Sequence, residues 1–88
     1  MNANIKISIL YFANLSEDFG LNQETLEVEA GTFTIAMLKE LLAKRGALWS
    51  EKLFAASTRC ALNQGMANDA DTIEDGAEIA FFPPVTGG

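Results

Sequence analysis

Between Ile5 and Phe12 the side chains alternate: Ile5, Ile7, Ile9 and Tyr11 share one parity, and Lys6, Ser8, Leu10 and Phe12 the other. A period of two predicts a strand with two distinct faces. After a polar loop containing Gly20 the alternation returns in Glu24-Thr25-Leu26-Glu27-Val28-Glu29 and stops at Ala30-Gly31, which predicts a half-buried strand with an acidic outward face and suggests a hairpin with the first. From Thr34 the period becomes helical, with Ile35, Leu38, Leu41 and Leu42 on one side and Lys39, Glu40, Lys44 and Arg45 between them. Thr34 suits the N-cap, Lys44 and Arg45 suit the negative end of the helix dipole, and Gly46 can take the left-handed conformation that ends the helix. Trp49 and Leu53, four apart, predict a short helix or turn over Ala47 to Leu53. Thr58 to Leu62 reads as a strand, Asn63-Gln64-Gly65 as a turn, and Met66-Ala67 as the start of a brief return strand. Asp75-Gly76 then turns the chain into a last strand, Glu78 to Phe82.

One main helix among four or five strands covers one face of a mixed sheet, which is an α+β domain. Eighty-eight residues accommodate a single core, and 49% apolar with 20% charged residues is a globular composition. Twelve acidic against six basic residues give a net charge of −6, which argues against a protein that grips nucleic acid by its phosphates. The sequence has no histidine, so the commonest general base, the Ser-His and Cys-His nucleophile pairs and the usual zinc ligand are missing. Self-contained catalysis is not expected. The single cysteine, Cys60, cannot form an internal disulfide and reads as a buried, inert thiol in a strand. Met1 to Leu10 lacks the apolar run and cleavage site of a signal peptide, and no stretch approaches a membrane span, so a reducing, cytoplasmic setting away from membranes is expected.

The acidic run Asn68 to Gly76 invites a calcium-loop reading, but with Asp69 as first ligand the sixth position is Glu74 and the twelfth Ala80, where glycine and glutamate are needed. A solvated turn is the better description. Neither Asp69 with Asp71 nor Glu17 with Asp18 is placed in a pocket by any feature of the sequence, so neither pair is assigned acid–base work.

The end of the chain is different. In Pro83-Pro84-Val85-Thr86-Gly87-Gly88 the two prolines stop ladder pairing and stiffen the backbone, and Val85 and Thr86 favour extension. Six extended residues reach roughly 20 Å. The chain thus divides into a domain over 1–82 and an extended tail over 83–88, whose last two residues carry no Cβ and so suit a narrow channel in another protein. A carboxylate at Gly88 is a poor acyl donor, and chemistry there requires activation, typically by nucleotidyl transfer from ATP.

The ending Phe81-Phe82-Pro83-Pro84-Val85-Thr86-Gly87-Gly88 after Asp75-Gly76, with Ala61-Leu62-Asn63-Gln64 upstream, resembles that of the molybdopterin synthase small subunits, sulfur carriers of the ubiquitin-like β-grasp fold. The resemblance implies a β-grasp domain that binds no cofactor itself. It also implies a cycle in which an adenylating enzyme related to ubiquitin-activating enzymes uses ATP to form a Gly88 acyl-adenylate. A sulfur-transfer protein then converts this to a thiocarboxylate, and the large synthase subunit accepts Pro83, Pro84, Val85, Thr86 and Gly87 into its active site. There the sulfur is given to cyclic pyranopterin monophosphate to build the molybdopterin dithiolene, in a heterotetramer with two large subunits. A diglycine end is shared with ubiquitin-like protein modifiers and with sulfur carriers for thiamine thiazole or tRNA thiolation, and these remain the alternatives. Many members carry an Arg-Glu pair after the first strand, where this chain has Ser16-Glu17.

If the first and last strands are neighbours, Leu10 and Phe12 share a face with Ala80 and Phe82, opposite Ile7, Ile9, Ile79 and Phe81. Leu10, Phe12 and Phe82 are then candidates for a partner-binding patch at the root of the tail. The alternative is that the segment around Trp49 covers them.

Overall fold

The structure is a computed structural model that describes residues 4–83. The elements follow as β1 (Asn4–Tyr11), α1 (Asn14–Phe19), β2 (Gln23–Glu29), α2 (Ile35–Ala43), α3 (Ala47–Leu53), β3 (Arg59–Leu62), β4 (Gly65–Met66) and β5 (Glu78–Phe82). The strands form one mixed sheet in the order β2-β1-β5-β3-β4. β1 and β5 run parallel at its centre, and the other neighbours are antiparallel.

The period-two pattern dictates the layering. Ile5, Ile7, Ile9 and Tyr11 of β1 and Ile79 and Phe81 of β5 are buried, and they meet Ile35, Leu38 and Leu42 of α2 and Leu53 of α3. All helices therefore lie over one face of the sheet. The α2 N-cap is as expected, with the Thr34 hydroxyl accepting the Met37 N–H at 3.3 Å. Further caps come from the acidic run. The carbonyls of Asp71 and Asp69 accept the Ile35 and Ala36 N–H groups at 3.1 and 3.0 Å, and Asp69 also pairs with Lys39 at 2.7 Å. This segment closes the start of α2, whose first amides have no partner within the helix. Asn68 and Asp71 side chains bond within it, as in a solvated turn.

Four expectations need correction. The loop before β2 contains a helix, α1, held by buried Leu15 and ended by Gly20 at φ 75°. Gly46 does not end α2 in the left-handed conformation. Lys44 caps that helix with ordinary right-handed angles, and Gly46, at φ 152° and ψ 173°, starts α3 instead. Leu41 is 40% exposed and lies outside the core, because α2 is covered on the Leu38 and Leu42 side alone. The return strand starts one residue earlier than expected, at Gly65, after Asn63 and Gln64 both adopt positive φ, the conformation of a tight hairpin turn.

Candidate functional site

The parallel β1–β5 pair settles which residues share the uncovered face. Leu10 stands beside Ala80, Ala80 beside Ala61, and Ala61 beside Met66. One step toward the C-terminal end of β5, Phe82 stands beside Arg59, and the Phe12 N–H donates to the Phe81 carbonyl at 3.1 Å, which extends the ladder and sets Phe12 next to Phe82. Leu10 and Phe82 are half-buried, while Phe12 is 48% exposed. The three anticipated residues thus come together in an apolar patch where β5 hands the chain to Pro83. Toward the other end of β5 the face turns polar, around a depression of about 220 Å³ lined by Ser8, Gln23, Thr25 and Glu78. Met66, exposed at the far edge, extends the patch and was not anticipated, since only the register reveals its alignment with Leu10. Of the tail, Pro83 is half-buried, and Pro84, Val85, Thr86, Gly87 and Gly88 lie outside the described residues.

Trp49 does not cover the patch. It lies on the opposite face, stacked on Phe19 with ring centroids 3.8 Å apart, and edge-on to Tyr11 at 5.6 Å. Here β2 takes Glu24 inward, on the same parity as Leu26 and Val28. The Glu24 carboxylate accepts the Tyr11 hydroxyl at 2.7 Å and both Arg45 guanidinium nitrogens at 2.7 Å. The guanidinium sits over the Trp49 ring, 4.6 Å from its centroid. The Arg45 bonds hold the Glu24 carboxyl below its ordinary range against the opposing effect of burial. Burial, reinforced by Glu24, pushes the Tyr11 phenol far up, so it stays protonated and donates. The network clamps β1, β2 and the α2–α3 junction and faces away from the patch. The Ser16 hydroxyl donates to the Asn22 side-chain oxygen across the α1–β2 connection.

Cys60 is buried on β3, and burial pushes its thiol up to about 11, the behaviour of an inert core group. Among the described residues no three Cys, Asp or Glu side chains gather as a metal site, and no helix is long and apolar enough to cross a membrane.

The sequence pattern of the ThiS family matches residues 9–88. The chain belongs to this family. A relative, the molybdopterin synthase sulfur carrier subunit of Haemophilus influenzae, is 34% identical over 82 residues, 93% of this chain and 99% of its own length. The small archaeal modifier protein 1 of Haloferax volcanii superposes with a TM-score of 0.80 at 22% identity, over 92% of this chain and 99% of that one. Subunit 1 or 2 of the molybdopterin-converting factor of Helicobacter pylori, solved as a complex of the two, superposes at 0.61 with 22% identity over 96% and 100%. Both structural likenesses speak to the fold, which is the ubiquitin-like β-grasp of this ThiS-family chain.

Proposed function

We propose that the protein is the sulfur-carrying small subunit of a molybdopterin synthase. The observation that carries this reading is the apolar patch of Leu10, Phe12 and Phe82 at the root of the tail, on a chain whose curated relative bears that function over nearly its full length. A carrier needs two things, a reactive end and a surface that docks the domain so the end reaches its target. The patch meets the second need, and the Pro83-Pro84-Val85-Thr86-Gly87-Gly88 ending, whose composition favours extension, meets the first. The large synthase subunit is the partner for the patch, in keeping with the two-subunit complex of the Helicobacter pylori factor.

The chemistry is confined to Gly88. Its carboxylate oxygen attacks the α-phosphorus of ATP on a separate adenylating enzyme and pyrophosphate leaves. The terminal sulfur of a persulfide on a sulfur-transfer protein then displaces AMP to give an acyl disulfide, and a thiol of that system attacks its outer sulfur, forming a disulfide and releasing the Gly88 thiocarboxylate. Inserted in the large subunit, the thiocarboxylate sulfur attacks cyclic pyranopterin monophosphate to form a thioester between Gly88 and the substrate. Water cleaves the acyl–sulfur bond to return the Gly88 carboxylate and leave the sulfur behind, and a second carrier repeats the delivery to complete the dithiolene. The carrier supplies the nucleophile, and its partners supply the acids, bases and ATP site that a histidine-free chain lacks.

Intact-mass measurement of protein isolated from cells tests this. The expected species has one oxygen replaced by sulfur at Gly88, and it makes molybdopterin when mixed with large subunit and precursor. Recovery of unmodified chain together with conjugates to lysines of other proteins would instead establish a modifier, the reading that the archaeal modifier fold favours.

A further inference from the structure

β2 is an edge strand, and its free side carries a second surface remote from the patch. The Ser8 and Phe12 amides bond toward β5, whereas the Tyr11 amide bonds the Asn22 carbonyl. Odd residues of β1 therefore face β2, where Ile5, Ile7 and Ile9 pair with Val28, Leu26 and Glu24. The intervening residues Thr25, Glu27 and Glu29 direct their N–H and C=O groups away from the sheet, and no hydrogen bond from elsewhere in the chain engages them among the described residues. Beside this edge, on the helix-covered side, runs a groove of about 570 Å³ floored by Val28 and Phe33 and walled by Met37 and Leu41 of α2. Met37 and Leu41, four apart and so neighbours on one helix face, are 43% and 40% exposed. Glu27, Glu29 and Glu40 rim the groove, and among the described residues Lys44 is the one cation that lines it.

We infer that this edge and groove dock an extended, basic peptide segment of a partner protein as a sixth strand beside β2. The two faces of the added strand meet different chemistry. Inward side chains enter the groove against Val28, Met37 and Leu41, which suits valine or isoleucine. Outward side chains stand beside Thr25, Glu27 and Glu29, which suits lysine or arginine as cross-strand partners. The same glutamates reject a second copy of this chain, whose own edge carries the same charges and whose net charge is −6.

The test is an NMR titration of the isotope-labelled full chain with an eight-residue peptide alternating lysine with valine. Amide shifts are expected at Thr25, Glu27, Glu29, Met37 and Leu41. Leu41→Lys should weaken binding by about tenfold and Phe82→Ala should not, because the first removes an anchor and the second lies on the other face. Raised salt should weaken binding, and a glutamate–valine peptide should give no shifts. Glu29→Lys, an exposed change that leaves the core alone, should also weaken it. Shifts centred on Leu10, Phe12 and Phe82, equal binding of the acidic peptide, no shifts at millimolar peptide, or a dimer closed through β2 in sedimentation would each overturn the inference.

Discussion

Replacing Arg45 by methionine keeps an unbranched stem over Trp49 and deletes the guanidinium. Two hydrogen bonds to Glu24, both 2.7 Å, and the cation over the indole at 4.6 Å are lost together. The Arg45 side chain is 33% exposed and Glu24 15%, so solvent screens the pair from one side and its worth lies near the upper end for surface ion pairs, about 1 kcal/mol. The cation–π contact adds about 0.5 to 1 kcal/mol. A loss of about 2 kcal/mol at neutral pH follows, which lowers the melting temperature of a domain this size by about 10 °C. The sign of the pH dependence is fixed by Glu24. Its carboxyl is held below the ordinary 4.5, chiefly by the Arg45 hydrogen bonds, so the stabilisation is complete above that value and is lost as pH falls through the lowered one. Thermal unfolding of wild type and Arg45→Met, followed by circular dichroism from neutral to acid pH, should show a gap that is widest at neutrality and narrows below about pH 4.5. No gap at neutral pH, or one that persists unchanged into acid, would refute an electrostatic clamp.

Three further outcomes are expected. Phe82→Ala should weaken binding to the large subunit by roughly 1 to 3 kcal/mol in calorimetric titration, as for a buried anchor, and an unchanged affinity would remove Phe82 from the interface. Deleting Gly88 should abolish molybdopterin formation while the melting temperature stays put, since a terminal residue contributes little burial; a core-sized loss of stability would contradict that. Alkylation of Cys60 at neutral pH should be slow in the folded protein and fast in denaturant, because the thiolate forms only near pH 11 and the sulfur is covered. Equal rates would show that the site opens.

The sheet was legible because Ile5, Ile7 and Ile9 in β1 and Leu26 and Val28 in β2 recur at a period of two, and alternation names faces as well as strands. With the first and last strands taken as neighbours, as the resemblance implied, parity alone grouped Leu10, Phe12 and Phe82. Six-residue α1 was not legible. Asn14-Leu15-Ser16-Glu17-Asp18-Phe19 is too short for a helical period to emerge, and its stability comes from Leu15 in the core, Phe19 on Trp49 and the Asp18–Lys52 pair at 3.4 Å. The spacing of Leu15 and Phe19 ahead of Gly20 was the available signal. The Glu24–Arg45 clamp was also hidden. Both residues look like ordinary surface charges until β2 and the α2–α3 junction are brought together, a contact between positions 21 residues apart. Leu41 misled for the opposite reason: helical spacing counts apolar residues but does not say which of them a neighbour covers.

The central position of β5 has a mechanical consequence. It is gripped along its length by β1 on one side and β3 on the other, four residue pairs to each. Because the tail continues directly from this strand, a pull along it while a partner holds the far end loads both ladders in shear, so that their bonds resist together. A strand at the sheet's margin, such as β2, would meet the same pull with a single ladder. Force that enters the domain at Pro83 is thus shared between two ladders from the first residues of β5 it reaches.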